Sequence, residues 1–129
     1  MIVRRLVDCE NTDRDISGPH FRSVRLLLAR DGVGFSFHIT RTKAGSVGRW
    51  HYKNHVEAVY CISGRARVTA IDTGLAHDIE PGGLYVLDKH DRHIVEVLED
   101  VTFACVFNPA CVGSETHDAD GSYPLLATE

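Results

Sequence analysis

Short apolar runs separated by glycine-containing breaks occupy most of this chain from residue 24 onward. The runs are rich in Val, Ile, Phe and Tyr, a pattern typical of many short β-strands rather than of helices, which need a longer amphipathic repeat. The breaks are the turn signals Asp31-Gly32, Ala44-Gly45, Ser63-Gly64, Thr73-Gly74 and Pro81-Gly82-Gly83. The sequence therefore predicts an all-β chain.

The strands are predicted at residues 24–28, 34–41, 57–63, 65–72, 76–79, 84–87, 93–97 and 101–108. Residues 8–20 are polar, and at most one short helical turn is expected there. The C-terminal stretch from residue 112 to 129 is also largely polar and carries Glu115, His117, Asp118 and Asp120. Composition alone leaves two alternatives for it, a tail or a lid that brings titratable groups to the mouth of a barrel.

Length and charge limit the classes of protein to which the chain can belong. With 129 residues it is expected to form one domain over residues 1–129. Its 14 Lys and Arg against 18 Asp and Glu include no basic run, so neither nucleic acid nor an anionic membrane surface is an expected partner. A small soluble molecule is the expected partner.

The expected location is the cytoplasm, because no apolar stretch has the length of a membrane span and the N-terminus lacks the apolar region of a signal peptide. The four cysteines form no CxxC pair, and two of them lie inside apolar runs. Buried, reduced thiols are expected rather than disulfides. The four are Cys9, Cys61, Cys105 and Cys111.

Two histidine-containing segments resemble the two metal-binding motifs of the cupin superfamily. The first motif fits at Gly45, His51, Glu57 and Gly64, except that its second histidine is Lys53 here, and a cationic lysine does not bind a metal. His51 itself stands beside Trp50 in a predicted loop, and we expect it beside the site or at the surface rather than on the metal.

The second motif runs from Gly82 to His93, with Asp88 and His90 where that motif usually has Pro and Gly. Glu57 and His93 therefore remain as oxygen and nitrogen ligands. Since residues two apart on a strand share a face, Tyr85 is a candidate for a phenolate ligand in the same interior, although an aromatic residue in a strand is more often part of the core.

Six strings along the chain resemble the ectoine synthase family, and the resemblance extends over essentially the whole chain. They are Val33-Gly-Phe-Ser-Phe37, Tyr52-Lys-Asn-His55, Val56-Glu-Ala-Val-Tyr-Cys61, Leu87-Asp-Lys-His-Asp91, Cys105-Val-Phe-Asn-Pro109 and His117-Asp-Ala-Asp-Gly-Ser-Tyr-Pro124. The resemblance implies a single cupin (jelly-roll) barrel, a homodimer, and a lyase that closes a ring by dehydration to form ectoine, a compatible solute linked to osmotic stress.

The resemblance also implies roles for individual residues. A divalent metal, Fe(II) first and Zn(II) or another divalent ion as alternatives, would be held by Glu57, Tyr85 and His93. Residues that exchange protons would be Tyr52, His55, Glu115 and His117. The substrate pocket would contain Phe21, Arg25, His38, Thr40, Cys105 and Phe107.

Two positions depart from the family, which usually has tryptophan in place of Phe21 and asparagine in place of His38. His38 alternates with Ser36 and Thr40, so it shares their strand face. We expect these departures to raise KM. We also expect His38 to carry charge below about pH 6.5 and to produce an acid limb in the activity profile.

Other readings remain open from the residues alone. Cys105 between Phe103 and Phe107 fits plain core packing, and Arg25 within an apolar run faces either solvent or a carboxylate inside. For the whole protein, the alternatives are an iron cupin dioxygenase, a related cyclase with another substrate, and a small-molecule-sensing cupin that is not an enzyme.

Overall fold

The computed structural model describes residues 1–113, 117, 119 and 121–123. In chain order the elements are α1 (Leu6–Cys9), β1 (Asp15–Ser17), β2 (Phe21–Leu27), a 3-10 turn (Ala29–Asp31), β3 (Ser36–Thr42), β4 (Val47–Trp50), β5 (Val56–Ala70), β6 (Ala76–Ile79), β7 (Leu84–Leu87) and β8 (His93–Asn108). The all-β class predicted from the sequence is confirmed. Within the described part of the chain, no helix has the length and hydrophobicity to cross a bilayer.

All strand pairs are antiparallel and belong to one sheet with the order β1-β2-β3-β8-β5-β6. The two remaining strands add to the long ones, β4 on β8 and β7 on β5. The sheet therefore places β7, β5, β8 and β3 side by side. Their inward side chains form the interior in which the candidate site lies.

The two long strands each join segments that the sequence predicts as separate strands. β5 covers the predicted strands at 57–63 and 65–72 except for its last two residues, and β8 covers those at 93–97 and 101–108. The signal at Ser63-Gly64 is thus a bulge with a register shift rather than a turn. Gly64 has φ +83°, and a Cβ there would lie 2.1 Å from the Asp100 carbonyl oxygen, so a side chain is excluded at the bend.

Two short strands, β1 and β4, were missed by the sequence pattern. Neither contains an apolar run, and each is formed by pairing with a longer strand, β1 with β2 and β4 with β8. The helical turn expected within residues 8–20 lies earlier, at Leu6–Cys9. Tertiary pairing overrides weak local propensity in these segments.

The interior is unusually polar for a small β protein. All four cysteines are buried with free thiols, as expected. Burying a polar group is costly unless it is hydrogen-bonded or serves a site. The buried polar residues are Ser23, Arg25, Ser36, His38, His55, Glu57, His93 and Ser122.

Candidate active site

A cavity of about 340 Å³ lies between the inward faces of the strands. A cavity of this size accommodates a small molecule. Its wall includes most of the residues selected from the sequence. These are Phe21, His38, Thr40, Tyr52, Glu57, Tyr85, His93, Cys105, Phe107 and His117.

The three proposed metal ligands come from three neighbouring strands. Glu57 is on β5, His93 begins β8, and Tyr85 on β7 pairs with Val59, two residues from Glu57 on the same face of β5. Burial raises the pKa of the Glu57 carboxyl to about 8. Burial, and then the nearby carboxyl of Glu57, raise the pKa of Tyr85 well above its ordinary value. Two acidic oxygens thus share an interior that disfavours their charge.

His93 is held so that one ring nitrogen is left for a ligand. Its Nδ1 lies 3.0 Å from the Asp91 carbonyl oxygen and donates to it, which leaves Nε2 as the acceptor nitrogen. Burial lowers the pKa of His93 and favours the neutral ring. Carboxylate, phenolate and neutral imidazole form a donor set suited to a divalent cation, whose charge would offset the burial of the two oxygens.

Tyr52 and His117 form a hydrogen-bonded pair at the cavity wall. The Tyr52 hydroxyl lies 2.6 Å from Nε2 of His117. Tyr52 is buried, which raises its pKa well above the ordinary value, whereas His117 is exposed. The structure therefore joins a phenol that stays protonated to an imidazole at the surface.

His38 is confirmed on the same inward face as Ser36 and Thr40, and its Nε2 lies 3.0 Å from the Ser36 hydroxyl oxygen. It is only 1% exposed, and it is the direct cross-strand partner of Arg25. Burial first, and then the charge of Arg25, lower the pKa of His38 well below its ordinary value. The expected charge on His38 below about pH 6.5 is therefore wrong, and so is the acid limb attributed to it.

The His38→Asn variant should flatten the pH dependence of stability. A histidine whose folded pKa is depressed stabilises the fold above its unfolded pKa of about 6.5, and that contribution is lost as pH falls. We therefore expect the Tm of the unaltered chain to fall further than that of His38→Asn between pH 7.5 and 5. The free energies of unfolding of the two chains should differ in their pH dependence by up to about 1.4 kcal/mol per pH unit. His77→Asn removes an exposed histidine and serves as control. Parallel melting curves for the unaltered chain and His38→Asn would contradict the expectation.

Arg25 and His55 are buried beside the cavity but do not line it. The Arg25 guanidinium lies inside, where Nη1 donates to the Gly113 carbonyl oxygen at 3.0 Å and Nε approaches the Ser23 hydroxyl at 3.4 Å. None of the carboxylates in residues 1–113 forms an ion pair with it. The His55 ring meets the face of Phe107 edge-on.

Of the remaining predicted residues, some line the cavity, some lie near the surface, and one lies outside the described residues. Phe21 is 37% exposed and lines the cavity from the start of β2. Cys105 and Phe107 are buried and also line the cavity, so core packing and contact with a ligand are compatible. Lys53 is exposed and His51 is half-buried. Glu115 lies outside the described residues.

Sequence reasoning did not assign three aromatic residues of the cavity wall to the site, Phe103, Trp50 and Tyr123. Tyr123 is within the last of the family-like strings, which was the available signal for it. Trp50 stands next to His51, and its only signal was its place inside the first cupin motif. Both rings stack on His117, at centroid distances of 5.2 and 4.6 Å.

Comparison with known proteins agrees with this geometry. An L-ectoine synthase from Hahella chejuensis is 50% identical over 127 residues, which cover 98% of this chain and 96% of that protein. One from Thermobifida fusca is 50% identical over 129 residues, with 100% and 96% covered. A crystal structure of ectoine synthase from P. lautus has a TM-score of 0.87 and 45% identity, and the match covers 100% of this chain and 93% of that one.

More distant structures share the fold alone. KdgF from Halomonas sp. has a TM-score of 0.63 at 20% identity, covering 73% of this chain and 84% of that one. With these neighbours, the expected cupin barrel is confirmed. A family model described as ectoine synthase matches residues 1–127. The chain belongs to the ectoine synthase family.

Proposed function

We propose that the chain closes N-γ-acetyl-L-2,4-diaminobutyrate to ectoine with loss of one water. Family membership over the whole chain makes it an enzyme of the hydro-lyase type. The observation that carries the assignment of the site is that one small cavity contains both the oxygen and nitrogen donors and the Tyr52–His117 pair. In the reaction, the free α-amine attacks the carbon of its own acetyl amide, a six-membered ring forms, and the former carbonyl oxygen leaves as water.

We assign metal binding to Glu57, Tyr85 and His93. The donor set and the burial of its two oxygens support a divalent ion, and Fe(II) is our first assignment, with Zn(II) or another divalent ion also compatible with these ligands. When bound, such an ion supplies Lewis acidity toward the amide carbonyl. Glu57, Tyr85 and His93, which all line the cavity, would hold such an ion there.

The substrate is held in a folded conformation, in our proposal, by the walls of the cavity. Phe21 and Phe107 provide apolar contacts, and Thr40 and His38 provide polar groups beside them. Arg25 lies close enough to lower the pKa of His38, so its positive charge also favours a carboxylate on that side. Fixing amine and carbonyl together converts the attack into a well-oriented intramolecular step. Cys105 completes this wall.

Proton transfer is assigned first to Tyr52 and His117. The amine must attack in its neutral form, and an imidazole is suited to accept its proton near neutral pH. Tyr52 keeps its proton because its pKa is raised, so it is suited to donate toward the leaving oxygen. His55 and Glu115 stay predicted members of the proton-exchanging set.

The decisive experiment is incubation of the chain with Fe(II) and the acetylated diaminobutyrate. Loss of one water from the substrate, without oxygen uptake, supports the proposal. Oxygen consumption would favour the dioxygenase alternative, and binding without turnover would favour the sensor or a cyclase with another substrate.

A cytoplasmic location and the organisation of residues 1–129 as one domain stay predictions.

We also propose that the chain forms a homodimer through the outer face of the sheet. Cross-strand partners on β3, β8, β5 and β7 form two apolar rows there, and none of the eight side chains is charged. The rows are Phe37, Val106, Ala58 and Val86, and Ile39, Ala104, Tyr60 and Leu84. Leu84 is 61% exposed. A flat apolar face of this kind is self-complementary, as a two-fold dimer requires.

Leu84→Glu should convert the dimer to a monomer, because two buried carboxylates would face each other across the contact. Sedimentation equilibrium at micromolar concentration measures the change. Leu75→Glu is the matched control, since Leu75 has the same exposure, 60%, but lies before β6 rather than on this face. A Leu84→Glu chain that stays dimeric would place the contact elsewhere.

A further inference from the structure

Three rings of the cavity wall, those of Trp50, His117 and Tyr123, are stacked on one another. The planes of Trp50 and His117 are inclined by 24°, and those of His117 and Tyr123 by 15°. The imidazole lies between the other two rings. Its Nε2 is the atom 2.6 Å from the Tyr52 hydroxyl. The stack therefore fixes the plane of the ring that makes this hydrogen bond.

The indole of Trp50 packs against Gly48, which has no side chain to obstruct it. A Cβ on Gly48 would lie 2.0 Å from the outer edge of the indole, so the indole occupies the space that any side chain at position 48 would need. Gly48 and Trp50 are two residues apart on β4 and share a face. Because β4 pairs with β8, the position of the indole is set by the sheet.

Tyr123 is held in place by hydrogen bonds, one backbone–backbone and two involving a side chain, between residues 121–123 and the loop after β4. The N–H of His51 donates to the Gly121 carbonyl oxygen at 3.0 Å, and the N–H of Lys53 donates to the Ser122 hydroxyl at 3.0 Å. The Asn54 side-chain amide donates to the Tyr123 carbonyl oxygen at 2.8 Å. Tyr123 itself is 8% exposed. Both outer rings are thus tied to the same part of the barrel.

The Gly121 position confirms how closely the two segments approach. Its φ is +72°, and a Cβ there would lie 2.5 Å from the Arg49 carbonyl oxygen and 2.8 Å from the Trp50 Cα. Glycine therefore permits the contact that brings Tyr123 over His117.

We propose that Trp50 and Tyr123 are positioning residues, which clamp the imidazole of His117 so that Nε2 remains on the Tyr52 hydroxyl. This rests on the proposed function, which assigns proton exchange to that pair. An exposed histidine samples several rotamers, whereas a ring between two seated aromatic rings keeps one plane. Proton transfer requires donor and acceptor within hydrogen-bonding reach, so the clamp acts on the chemical step more than on substrate binding.

The expected kinetic result is a loss in kcat with little change in KM. Trp50→Leu and Tyr123→Leu should each lower kcat by about 10- to 100-fold, at or below the lower end of the roughly 10²- to 10⁴-fold that a general acid or base contributes. Tyr123→Phe keeps the stacked ring and should restore most of the rate. Phe35→Leu is the control: it removes an exposed aromatic ring just before β3, outside both the cavity wall and the proposed dimer rows.

A double-mutant cycle separates positioning from a general structural role. In a His117→Ala background, Tyr123→Leu should cost nothing further in kcat, because the group that it orients is already gone. If the losses in kcat of His117→Ala and Tyr123→Leu add in full in the double variant while ectoine is still formed, Tyr123 has a structural role and the positioning role is overturned. If the unaltered chain forms no ectoine, the proposed function fails, and the positioning role fails with it.

A second readout does not depend on turnover. Trp50 is the chain's single tryptophan, so indole fluorescence reports on this stack alone. His117→Leu and Tyr123→Leu should change its emission intensity, whereas Tyr123→Phe and Phe35→Leu should leave it near that of the unaltered chain. If the emission of Trp50 is unchanged in both His117→Leu and Tyr123→Leu, the positioning role is overturned, whatever the activity of these variants.

Discussion

The Tyr85→Phe variant should stay folded but lose most of its bound metal and at least about 100-fold in activity, since even groups that only orient metal ligands are worth about 10- to 100-fold. The substitution removes one oxygen and almost no volume. Tyr85 lines the cavity with Glu57 and His93, and its phenol is buried near the carboxyl. The measurement is iron per chain after anaerobic loading with Fe(II), together with the rate of ectoine formation.

Tyr52→Phe is the matched control for this experiment. It also removes one hydroxyl from a buried tyrosine of the same cavity, but Tyr52 hydrogen-bonds to His117 and is not a proposed metal ligand. It should therefore keep its iron while its activity falls. Glu57→Ala and His93→Ala should resemble Tyr85→Phe. If Tyr85→Phe kept its full iron content and its full rate, Tyr85 would be a core packing residue and not a metal ligand.

Ending the chain after Gly113 should spare metal binding but reduce activity by at least about 100-fold, the lower end of the range for a lost general acid or base. The cut keeps Cys111 buried and leaves the Arg25 contact with the Gly113 carbonyl intact. It removes His117 and Tyr123, and it admits water at the mouth of the cavity. Iron content and rate are measured together.

A cut after Tyr123 controls for the general effect of shortening the chain. It retains the hydrogen bonds by which Gly121, Ser122 and Tyr123 attach to residues 51–54. We expect this longer chain to keep both iron and activity. Were the chain ending at Gly113 equally active, residues 114–129 would be a tail rather than a lid, and Glu115 and His117 would have no role in the reaction.

The sequence by itself determined the fold class and several of the polar residues of the cavity. Period-two alternation places Ser36, His38 and Thr40 on one face, and the structure confirms that face as inward. Glu57 and His93 were found from motif spacing, because a ligand pattern is a local property of strand and loop. Tyr85 and His117 needed the resemblance to a family, since an isolated aromatic or histidine residue has no local pattern that separates a site from a core.

Only the tertiary structure decided the features that depend on partners distant in the chain. Gly64 is a bend within β5 rather than a turn, because β8 continues alongside it. Burial in a closed interior, and then the charge of Arg25 that β2 places directly opposite, lower the pKa of His38, and neither burial nor a cross-strand charge is visible in a local window. The stack on His117 joins Trp50 to Tyr123, and hydrogen bonds to residues 51–54 hold residues 121–123 there. Alternation states which side of a strand faces inward, but closure of the sheet decides which inward side chains meet.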